Sequence, residues 1–79
     1  MIRLWQDTFD DSYCFADHTS YKASNVWATS ISDAIIFFKR AVIHPTHSTF
    51  NQFLDPDYRC ILECESMDNL ATTHPELFI

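Results

Sequence analysis

The chain has no glycine among its 79 residues, where average usage would place about five or six. Gly-rich phosphate cradles, the dinucleotide fingerprint and the P-loop all need backbone that meets the ligand without an intervening side chain, so none of them can be built here. Two-residue Asn-Gly hairpins are missing as well, and reversals must fall to Asn, Asp, Ser or longer loops. Basic residues are scarce, five against eleven acids for a net charge of -6. They are scattered at Arg3, Lys22, Lys39, Arg40 and Arg59, which opposes direct nucleic-acid binding, because neutralising phosphates takes clustered bases. No apolar run is long enough to span a bilayer, and the first residues lack the charged-then-apolar layout of a signal peptide. These absences imply a soluble, cytoplasmic protein with no membrane partner.

The composition, 47% apolar and 15% aromatic, is that of a folded chain with room for one core. No repeat, linker or low-complexity tract divides it, so residues 1–79 read as a single small domain. Ile2 and Leu4 flanking Arg3 predict a first strand, "QDTFDD" a polar turn, and "DSYCFAD" a second strand. "NVWAT", residues 25 to 29, is β-branched and aromatic and predicts a third. In "SISDAIIFFKRAVI", residues 30 to 43, Ser30 and Asp33 resemble a capping box. Ile31, Ala34, Ile35, Phe38, Ala41 and Val42 make one apolar helix face, and His44-Pro45 marks the stop. After a short capped turn in "THSTFNQFLDPDY" comes "YRCILECES", residues 58 to 66, as the last strand, with a C-terminal turn in "HPELF". The expected fold is α+β, a three- or four-stranded mostly antiparallel sheet packed on one main helix, in the order β-β-β-α-β.

"YRCILECES" holds two of the three cysteines. Simple alternation puts Tyr58, Cys60, Leu62 and Cys64 on the core side and Arg59, Ile61, Glu63 and Glu65 on the other. Residues four apart in a strand are roughly 13 Å apart along it, too far for a disulfide. Cys14, on another strand, stays open as a partner for either, but an odd count in a chain read as intracellular favours free thiols. A zinc-stabilised module built from His44, His47, Cys60 and Cys64 is the less favoured reading, because structural zinc cysteines usually sit on a tight knuckle rather than in an extended segment. No cofactor is expected. Nor is catalysis, since no nucleophile-and-base signature can be placed.

The acids are the more informative pattern. Asp7, Asp10, Asp11 and Asp17 lie in or beside the first turns, and Asp55 and Asp57 bracket Pro56. They suit a solvated surface, or an acidic face complementary to a basic groove. Ile36 and Ile43 fall on the helix side shared with Ser32, Asp33, Lys39 and Arg40, and offer an alternative apolar surface for a homodimer.

The run "VWATSISDAIIFFKRAV" followed by "YRCILECES", with the small size and acidity, resembles small phage-encoded counter-defence proteins of the anti-CRISPR type. Through "WAT" entering a helix and the "CILEC" strand it also resembles phage antitoxins that block a host endoribonuclease toxin. The likeness covers residues 26 to 66 and carries over no functional residue. It implies a stoichiometric, non-enzymatic inhibitor of a host protein or complex. The acidic pattern, read separately, suits a partner with a basic nucleic-acid groove met through Asp7, Asp10, Asp11, Asp17, Asp55 and Asp57. The alternative is a small homodimeric structural or regulatory subunit associating through Ile36 and Ile43.

Overall fold

The computed structural model describes residues 1–20, 22–24, 26–41 and 55–78. The alternation of Ile2 and Leu4 with Arg3 and Trp5 makes β1, Ile2–Asp7, with one side turned to the core. It is the hub of the sheet, pairing antiparallel with β2, Ser12–Asp17, on one side and β4, Tyr58–Cys64, on the other. A two-residue β3, Lys22–Ala23, adds to β2, and the order is β3-β2-β1-β4. The helix α1, Ile31–Arg40, a second helix α2, Met67–Thr73, and a 3-10 turn, Pro75–Phe78, complete the α+β domain.

Ser30 caps α1, accepting the Asp33 N–H at 3.2 Å, while Asp33 in the first turn and Lys39 and Arg40 in the last complement the helix dipole. Ala34, Ile35 and Phe38 are buried and Ile31 half-buried, as the spacing predicts. Phe38 meets Phe15 of β2 in a tilted arrangement, ring centroids 6.3 Å apart and planes at 58°. Leu4, Phe15 and Leu70 are fully buried beside them. Loss of one such Phe side chain costs about 3 to 5 kcal/mol, a large share of the stability of a domain this size.

Three local expectations are corrected. Of the strand expected over residues 25 to 29, the described residues 26 to 29 keep a single bridge, between Ala28 and Tyr13, and the Ser24 hydroxyl accepts the Val26 N–H and donates to the Val26 carbonyl, turning the chain. The helix ends at Arg40 rather than 43, where Ala41 turns extended and its N–H closes back on the Phe38 carbonyl at 3.2 Å. The last strand stops at Cys64, and Asp68 belongs to the first turn of α2, which Ser66 caps by accepting the Asn69 N–H. The turn expected around Ser48, with Phe50, Phe53 and Leu54, and the residues Val42, Ile43, His44 and His47, lie outside the described residues.

A further correction concerns the cysteines. Leu62 faces Leu4, but Cys60 faces Trp5, so Ile61 is an extra residue, a β-bulge that shifts the phase of β4. Residues directly opposite share a face, so Cys64 and Leu62 point to α1 while Cys60 and Tyr58 join Trp5 on the far face. Cys64 is buried; Cys60 is exposed. One ion therefore cannot take both thiolates. Cys14 and Cys60 flank Trp5 from either side, about 9 to 10 Å apart across two strand spacings, beyond disulfide reach. All three thiols are free, and burial pushes the Cys14 thiol up to about 12. Thiol titration of the denatured, unreduced chain is expected to count three, and in the native chain Cys60 should react first with Cys14 and Cys64 protected. A count of one, or equal native reactivity of Cys60 and Cys64, contradicts the bulge.

Candidate functional site

With no glycine for the β1–β2 reversal, the four residues Thr8 to Asp11 are held by side-chain acceptors. The Asp7 carboxylate accepts the Phe9 N–H at 2.9 Å, and Asp10 accepts the Ser12 N–H at 3.0 Å and its hydroxyl at 2.6 Å. Asp11 closes the turn, its N–H on the Asp7 carbonyl at 2.8 Å and its φ at 60°, the left-handed region that Asp tolerates better than most residues. The turn into β4 is built alike, with the Asp57 N–H on the Asp55 carboxylate at 2.9 Å.

The two turns are tied together. Both the Thr8 N–H and its hydroxyl donate to the Asp57 carbonyl at 2.9 Å. The antiparallel pairing of Asp7 with Tyr58 thus gathers Asp7, Asp10, Asp11, Asp55 and Asp57 at one end of the sheet. The Tyr58 phenol records their field: burial raises its pKa, and Asp7, Asp55, Asp57 and Asp10 raise it further. The hydroxyl of Ser12, then its N–H, holds the Asp10 carboxyl below the ordinary value.

Asp17 is not part of this group. It pairs with Ile2 at the opposite end of the sheet, 3.7 Å from the chain's amino terminus, and accepts the Thr19 and Ser20 N–H groups. Burial alone would raise its carboxyl, but those bonds and the amino terminus outweigh it and hold the value low. Among the described residues the ion pairs are Met1–Asp17 and Arg3–Glu63, the latter at 3.5 Å, so the five gathered aspartates face no base within 4 Å. Arg59, opposite Gln6 on β4, is exposed near this end and makes no such pair.

One residue here lies within the polar turn "QDTFDD". Phe9 stands at the tip of the β1–β2 turn, 91% exposed, with Asp7, Asp10 and Asp11 around it. Its signal is the aromatic letter itself within "DTFDD", where no periodicity calls for an apolar side chain.

Ile36 is 45% exposed. It lines an open groove of about 230 Å³ with Ser32, Ile35, Lys39, Leu77 and Phe78, and the Lys39 ammonium lies 5.1 Å from the Phe78 ring centroid. Among the described residues no three His, Cys, Asp or Glu side chains are grouped to hold a metal ion, and no helix is long and apolar enough to cross a membrane.

No family model, curated protein or solved structure matches the chain.

The left-handed position gives a direct check on how the acidic turn is held. Asp11→Gly should leave the unfolding free energy within about 0.5 kcal/mol of the parent, whereas Asp11→Val should lower it by about 1 to 3 kcal/mol in urea titration. Equal stability of the two variants contradicts the turn geometry.

Proposed function

We propose that the chain is a non-enzymatic binding protein that covers a basic surface of a protein partner with the acidic end of its sheet. The observation that supports this reading best is Phe9, 91% exposed in a turn of aspartates whose backbone is pinned by side-chain bonds. An aromatic on a pinned backbone, with only two rotatable side-chain bonds, loses little entropy on docking, and interface anchors tend to be aromatic residues seated in pockets. Five carboxylates around it steer the encounter with a surface rich in Lys and Arg and set its orientation. The partner class that fits is a cytoplasmic protein with an apolar pocket rimmed by bases, such as the nucleic-acid groove of a host defence complex or processing enzyme. This is the stoichiometric inhibitor that the resemblance to phage counter-defence proteins implies.

A homodimer through α1 is the second reading, favoured by Ile36, which is exposed at the open groove beside Leu77 and Phe78. Association kinetics with the partner captured from host lysate separate the two. Replacing Asp7, Asp10, Asp11, Asp55 and Asp57 by Asn keeps the side-chain carbonyls that hold the turns and removes the charge. Association should slow on the order of 10- to 1000-fold at low salt, while Asp17→Asn changes little. Phe9→Ser should weaken affinity about 30-fold or more, mainly through faster dissociation. Rates that do not change between low and high salt sink the acidic reading. Loss of association on Ile36→Glu, with the Asn variants binding normally, assigns the surface to α1 instead.

A further inference from the structure

The face of the sheet turned away from α1 has its own small cluster. Ala16 and Ala23 are buried there against Trp5 and Trp27, and Trp27 stacks on Tyr58 with centroids 5.3 Å apart and planes at 21°. Within it the Trp5 indole N–H donates to Nε2 of His18 at 2.9 Å, the rings 5.6 Å apart and tilted by 50°. An indole N–H can only donate, so Nε2 must carry its lone pair, and the imidazole is neutral with its proton on Nδ1. The His18 backbone is anchored too, its N–H on the Met1 carbonyl at 3.2 Å. The pair therefore fastens the turn after β2, the one that leads into the two-residue β3, to the middle of β1.

A second proton on His18 would convert that acceptor into a donor facing a donor. The indole would lose this acceptor in a half-buried place, where the loss of a hydrogen bond is costly. We propose that the Trp5–His18 pair is an acid-released latch on the far face of the sheet, closed while the imidazole is neutral and opened when it takes up a proton.

Among the described residues, the charges facing His18 come from three strands and the chain terminus. Burial first, then Arg3 on β1 and the amino terminus, hold the imidazole below its ordinary value, while Asp17 on β2 and Glu63 on β4 pull the other way. Both carboxylates are already engaged, Asp17 with the amino terminus and Glu63 with Arg3. Because the folded-state value lies below the ordinary histidine value of 6.5, the latch contributes stability that is fully present above 6.5. That stability is lost as pH falls through the lower folded-state value. His18 lies toward the amino terminus and Asp17, at the other end of β1 from the acidic end.

Nitrogen-15 NMR of the full chain from pH 8 to pH 5 tests it. His18 should show the Nδ1–H tautomer at high pH and titrate with a midpoint below 6.5. The Trp5 indole N–H should move upfield on the same curve as its hydrogen bond is lost. In His18→Gln, whose amide oxygen accepts without titrating, the indole signal should hold its bonded position across the range. An indole that stays put while His18 titrates, a midpoint at or above 6.5, or a transition that survives in His18→Gln overturns the proposal. The wild-type titration decides the question even if the variant folds poorly.

Discussion

A chain without glycine must turn by borrowing acceptors from its side chains, and much of the described structure depends on that constraint. Asp7, Asp10, Asp17 and Asp55 each accept a backbone N–H two residues on, Ser24 does the same, and Ser30 and Ser66 cap α1 and α2. Asp11 takes the one positive-φ position recorded among the described residues. Turns lie at strand ends, so an acid chosen to make a turn is also placed at an end of the sheet. Charge and backbone geometry are thereby set by the same residues. Asp7 and Asp55 are bonded through Oδ1 alone in these turns, so the other oxygen stays open to a partner.

The local elements were legible because their signals are local. The alternation of Ile2 and Leu4, the pair Tyr13 and Phe15, and the Ser30-capped apolar face of α1 all read out in the structure. The bulge at Ile61 was not, since Tyr58, Cys60, Leu62 and Cys64 alternate without a break and no Gly or Pro marks the extra residue. One inserted residue moves half of a strand to the opposite face, and that sent Cys60 to the surface. Helix α2 carried a readable Ser66 cap, but the short run before it continued the acidic pattern of the strand.

The grouping of the acids shows a different limit. Asp17 is near Asp7, Asp10 and Asp11 in sequence yet lies at the other end of the hairpin, while Asp55 and Asp57, more than forty residues on, lie beside them. Antiparallel pairing of β1 with β4 creates that neighbourhood, and it is a contact of long sequence separation that composition cannot reveal. Phe9 escaped for a related reason: a lone apolar residue in a polar turn carries no periodic signal, and its exposure shows only in the fold.

The sheet thus has three distinct surroundings: a core against α1, an aromatic far face held in part by Trp5 and His18, and an acidic end carrying Phe9. The central claim is that recognition belongs to the acidic end, and it can be tested without the partner in hand. Backbone amide shifts of the chain would be followed during titration with a short oligolysine peptide at low salt. The account predicts saturable shifts concentrated at residues 7 to 12 and 55 to 58, fading as salt screens the charges. Shifts spread evenly over Asp17, Asp33, Glu65 and Asp68 as well would show that the five aspartates form no focused site, and would contradict it.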